Sequence, residues 1–113
     1  MGTTLDDYRR HAVGHGKHTL EGDASAINAA YDQLQDSFLA IVRADEVNEL
    51  FHFYNDPDPW VQAWAATHTL EIDEARALGK LQQLENAGIP HVSSDAKYTI
   101  QGWKKGESRF FPS

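Results

Sequence analysis

The chain of 113 residues carries 17 acidic against 10 basic side chains, a formal charge of -7, and no cysteine. Its length suits one domain, which can bury roughly two thirds of the surface the unfolded form exposes, and 41% hydrophobic content argues against disorder. The missing thiols exclude disulfides, Cys-type zinc sites and thiol nucleophiles. The acidic balance repels nucleic acid and anionic membranes as partners and favours a basic protein.

Met1 to Arg10 is polar and charged, and no stretch approaches the roughly 20 apolar residues that a membrane helix needs, so the expected location is the cytoplasm. A first helix is expected from Thr4 to about Glu21, with Leu5, Tyr8, Ala12 and Leu20 at loosely helical spacing. Gly14 and Gly16 each cost it roughly 1 kcal/mol relative to alanine, which makes its second half the weakest helical segment expected. Gly22 stops it. Asp23 then caps a second helix, Ala24 to Arg43, whose Ile27, Tyr31, Leu34, Phe38 and Ile41 form one apolar stripe. A third helix, Asp45 to Tyr54, places Val47, Leu50, Phe51 and Tyr54 on one side, with Asp45 and Glu46 suiting the dipole at its start.

The segment Asn55-Asp56-Pro57-Asp58-Pro59 cannot continue a helix, because proline lacks an N–H and biases the preceding residue to extended geometry. Asp58 caps a fourth helix with Pro59 at its first position. There Val61, Ala65, Ala66, Thr69 and Leu70 form a face of mostly small side chains that a neighbouring helix can approach closely. Asp73 caps a fifth helix lined by Ala77, Leu78, Leu81 and Leu84, which Gly88 and Pro90 end. Ser94 and Asp95 begin a sixth, in which Ala96, Ile100 and Trp103 share a face, Lys104 and Lys105 suit the C-terminal end, and Gly106 closes it before a tail at 107–113. The expectation is an all-α single domain over 1–113, a bundle or short solenoid of about six antiparallel helices.

The stretch Leu50 to Leu70 resembles a HEAT repeat, in which a helix ends, an Asp-Pro turn reverses the chain, and a second helix opens with a valine, often an arginine, and paired alanines. Val61, Ala65 and Ala66 match, while Gln62 stands where arginine is frequent. It is the one clean repeat visible. The whole chain is similar to a small bacterial family of α-α superhelix domains of unknown function. The likeness rests on His15-Gly16 through Gly22-Asp23 to Asn28 and Tyr31, on the Asp-Pro helix, and on Ser94-Asp95-Ala96 through Gly102-Trp103-Lys104-Lys105-Gly106. This implies a HEAT-like helical fold and supplies no active site to transfer.

Trp60 and Trp64, one turn apart, are expected to project away from Ala65, Ala66 and Thr69, alongside Thr67 and Glu71. With Asp56, Asp58 and Glu74 around them they would anchor a protein partner. Alternatively, a neighbouring helix or the tail's Phe110 and Phe111 covers them. Paired carboxylates such as Asp6-Asp7 and Asp45-Glu46 sit at helix ends, where the dipole favours them regardless of function. No catalytic residue, metal site or cofactor is assigned, and the expected function is a non-catalytic protein-interaction module, most concretely an immunity protein that blocks a basic toxin domain. The alternative is a metal-binding protein or enzyme using His11, His15 and His18, whose four- and three-residue spacing puts three imidazoles on one helix face.

Overall fold

Three aspartates set helix starts. Asp23 accepts from Ser25 N and Ala26 N at 3.0 and 3.2 Å, Asp58 from Trp60 N at 2.8 Å, and Asp73 from Arg76 N at 3.2 Å. Each satisfies orphan donors in the first turn that follows. The structure, a computed structural model, describes residues 3–106. Helices α1 (Thr3–Glu21) and α2 (Ala24–Arg43) are followed by a 3₁₀ helix (Val47–Asn55), α3 (Pro59–His68), α4 (Glu74–Asn86) and α5 (Val92–Lys104). Among the described residues there is no strand. No helix among them is long and apolar enough to cross a membrane.

Three local expectations change. The third helix is 3₁₀ rather than α. A period of three residues aligns Val47 with Leu50 and Phe53, and Phe51 with Tyr54, and Val47, Leu50, Phe51 and Tyr54 are buried. Asp45 does not begin it but ends the preceding turn in left-handed geometry (φ 59°). Helix α5 starts at Val92, two residues before Ser94, because Ser93 supplies the junction's hydrogen bonds: its Oγ donates to Leu84 O at 2.7 Å and accepts from Ile89 N at 2.8 Å.

The elements form three consecutive antiparallel hairpins, α1–α2, 3₁₀–α3 and α4–α5, with α3 in the middle touching α1, α4 and α5. Seven of its ten residues are buried, which is why its pattern is apolar or small on nearly every side. One core cluster joins Tyr8, Ala12, Leu34, Phe38, Ile41 and Leu50, and a second joins Ala65, Ala66, Ala77, Leu81, Val92 and Ile100. Phe53 packs on both. The principal extents of 34 × 31 × 28 Å describe hairpins wrapped into a near-isometric bundle.

Two polar contacts lock this packing. Arg9 of α1 holds Asp56 of the proline turn through Nε to Oδ2 at 2.7 Å and Nη2 to Oδ1 at 2.9 Å, a bidentate geometry. The guanidinium keeps the Asp56 carboxyl below its ordinary value. The second contact centres on His68, 1% exposed. Tyr8 Oη of α1 donates to His68 Nδ1 at 2.6 Å, and His68 Nε2 donates to Gln35 Oε1 of α2 at 3.3 Å. Because the Gln35 oxygen can only accept, Nε2 carries the proton and Nδ1 is the acceptor. Phe38 stacks on the imidazole at 4.1 Å between centroids, and Trp64 stacks at 5.4 Å.

Helix α1 runs unbroken through Gly14 and Gly16. The two glycines are not equivalent. A Cβ at Gly14 meets nothing within 4 Å, whereas one at Gly16 would overlap the Trp60 indole. We predict that Gly14→Ala raises stability by up to about 1 kcal/mol through helix propensity, while Gly16→Ala lowers it by about 1–3 kcal/mol through overpacking. Urea unfolding of the two variants checks this, and a shift of the same sign in both would contradict it.

Burial lowers the His68 pKa from an ordinary 6.5 to about 3, so protonation favours the unfolded chain. The neutral ring's contribution is complete above about pH 6.5 and is lost as pH falls towards 3, at up to about 1.4 kcal/mol per pH unit. The urea midpoint should therefore drop steadily between pH 7 and 5. A flat midpoint across that interval would show that His68 takes up its proton without unfolding.

Candidate functional site

Beside α3 lies a cleft of about 340 Å³ whose walls come from α1, α3, α4 and α5. Its floor is made by small or buried side chains, Ala63 and Thr67 of α3, Leu81 of α4 and Ala96 of α5. Where four elements converge, small residues leave space that larger ones would fill. One wall is aromatic, Trp60 and Trp64 from α3 with His15 of α1 set edge-on to both, at 6.1 and 5.1 Å between centroids. The mouth is formed by the first turns of α5, where Tyr98 is 65% exposed and Asp95 and Thr99 lie at neighbouring helical positions.

Two further contacts fix the aromatic wall. Trp60 lies flat against α1 because Gly16 has no side chain there. Trp64 stacks on His68 and tilts against Tyr31 of α2 at 5.8 Å. The wall is thus an extension of the His68 stack in the core, a rigid surface rather than a loop.

The cleft holds donors in the Trp60 and Trp64 indole N–H groups, the Tyr98 hydroxyl and a His15 ring nitrogen, and acceptors in Asp95 and two threonine hydroxyls. Thr67 Oγ1 donates to Ala63 O at 2.8 Å, and Thr99 Oγ1 donates to Asp95 O at 2.8 Å. Each hydroxyl has one proton and has committed it to its own helix, so only lone pairs remain for a ligand. The Asp95 carboxyl is pushed up by desolvation, partly countered by the nearby His91. His15, 8% exposed, is pushed down by burial and then by His18, which keeps it neutral near pH 7. Among the described residues no lysine or arginine lines the cleft.

The expected docking ridge is placed differently from the sequence reading. Trp60 and Thr67 do not project into solvent: they are 7% and 6% exposed, because α3 is central and has no outward face along that stripe. Trp64 is half-buried and reaches the cleft. Of the acidic residues meant to surround them, Asp56 is occupied by Arg9, Asp58 caps α3, and Glu74 accepts from Trp103 Nε1 at 2.6 Å. Glu71 is exposed in the turn after α3. Phe110 and Phe111 lie outside the described residues.

The histidine spacing on α1 does not produce a metal centre. His15 turns inward against the two indoles, His18 Nδ1 lies 3.1 Å from Glu21 Oε1, and among the described residues no three potential ligands converge. What the sequence reading missed is the other half of the cleft. Asp95, Tyr98 and Thr99 sit at i, i+3 and i+4 on α5, beside the Ala96-Ile100-Trp103 face. The repeat Trp60, Trp64, His68 at spacings of four is the matching signal on α3.

Because Trp64 packs on a buried imidazole, Trp64→Ala should cost on the order of 3 kcal/mol and lower the melting temperature markedly. An unchanged melting temperature would place the indole outside the core. Comparison of the chain with family models, with curated proteins and with solved structures finds no match.

Proposed function

We propose that this chain is a non-catalytic binding module for a basic protein, and most concretely an immunity protein that neutralises a toxin domain by covering a positively charged surface. The observation that carries this reading is an aromatic cleft with a carboxylate at its mouth on a chain of net charge -7. Aromatic side chains held rigidly from below are the type that anchors protein interfaces. An acidic field speeds encounter with a basic partner and discourages phosphate backbones.

The fold is compatible with a HEAT-like module, since three hairpins stack in sequence order and the Asp-Pro turn reverses the chain at the middle one. The alternative of metal or enzyme chemistry through His11, His15 and His18 has the inward turn of His15 against it.

The tagged chain, immobilised at low salt and exposed to soluble protein from its source cells, should retain a strongly basic protein and release it when salt is raised. Co-expression with that protein should then restore growth wherever the basic protein alone is toxic. Retention of proteins no more basic than the background, or the same retention at high salt, would remove the reading.

A further inference from the structure

Resting on the reading of a basic partner, we propose that the cleft between α3 and α5 is a specific pocket for one cationic side chain of that partner, an arginine guanidinium or lysine ammonium. At about 340 Å³ the cleft has room for a side chain to enter. Its chemistry selects the charge. Thr67 and Thr99 present lone pairs only, because their protons are committed to Ala63 O and Asp95 O at 2.8 Å each. Asp95 adds a carboxylate at the mouth, and among the described lining residues there is no lysine or arginine beside it.

A ligand that satisfies acceptors must bring donors, and guanidinium and ammonium groups bring five and three with no acceptor of their own. The aromatic wall suits the same ligand. Indole and phenol rings attract cations through their quadrupoles, most strongly where water is excluded. Trp60 is almost fully buried and Trp64 half-buried, so their accessible atoms face a sheltered space, and Tyr98 stands 65% exposed at the entrance. Apolar stem atoms of an entering side chain would lie against Leu81 and Ala96.

The chain's three tryptophans make the test direct. The probe is Nα-acetyl-arginine amide, titrated into the isotope-labelled chain while the assigned indole N–H resonances are followed. The neutral isostere Nα-acetyl-citrulline amide is the comparison. The Trp60 and Trp64 signals should move with the arginine compound and stay in place with the citrulline compound, while Trp103, which is outside the cleft lining, stays in place with both. Asp95→Asn should weaken the response about tenfold or more. Tyr98→Ala, at an exposed position whose loss leaves the core untouched, should weaken it as well.

Equal shifts with both probes, or none with the arginine compound, would overturn the pocket. So would a Trp103 response as large as the other two. Salt-sensitive capture of a basic protein that survives unchanged in Asp95→Asn and Tyr98→Ala would overturn the pocket while leaving the protein-binding reading in place. Loss of capture by the unmodified chain would instead remove that reading itself.

Discussion

A neutral imidazole in the core holds this molecule together. His68 closes α3, and its ring is gripped by Tyr8 of α1 on one nitrogen, Gln35 of α2 on the other, and by Phe38 and Trp64 on its faces. One side chain thereby fixes three helices relative to one another. A leucine in the same space would fill the volume but leave the Tyr8 hydroxyl buried without a partner, a loss of about 1–3 kcal/mol. Among the described residues no buried side-chain nitrogen or oxygen lacks a partner, so the polar groups inside this small core are fully matched. The same burial that makes the ring a good packing element makes its protonated form intolerable.

The Asp-Pro turn and Gly16 complete what His68 begins. Asp56 accepts from Asp58 N at 2.9 Å while it holds Arg9, so one carboxylate both shapes the turn and ties it to α1. Asp58 then starts α3 in the right direction, and Gly16 lets Trp60 settle against α1. At ten residues α3 is too short to persist alone in water, so its geometry comes from the neighbours it contacts. The cleft is the remainder of this arrangement. It stays open because Ala63, Thr67 and Ala96 are small where the surrounding helices converge.

Much of the fold was legible in the sequence because the signals were local. Asp23, Asp58 and Asp73 stand where caps are needed, the two prolines forbid continuation, and Leu34, Phe38 and Ile41 repeat at helical spacing. The site was less legible because it depends on which side of α3 meets another helix, a long-range matter. The small residues Ala65 and Ala66 suggest one buried face on α3, whereas Trp60 and Thr67 are buried as well because the helix is central, and Trp64 is half-buried. His68 carried no local signal of its role, since Tyr8 is 60 positions away. The sequence places Asp95 at a helix start, and its place at the cleft mouth follows only once α5 is docked against α3.

The coupling of wall to core constrains how recognition can be built and changed here. Trp60, Trp64 and His15 serve the cleft on one side and the helix packing on the other, so replacing any of them alters stability and the pocket together. Asp95, Tyr98 and Thr99 are free of that double duty, because they lie on the outer turns of α5 while Ala96 and Ile100 anchor the helix. Specificity is therefore open to change at the rim without cost to the fold, whereas the aromatic wall is held constant by folding itself. On the reading proposed above, the rings of the wall are ordered before a cationic side chain arrives, so little entropy would be lost on contact, and the exposed rim residues would set the angle at which that side chain can enter.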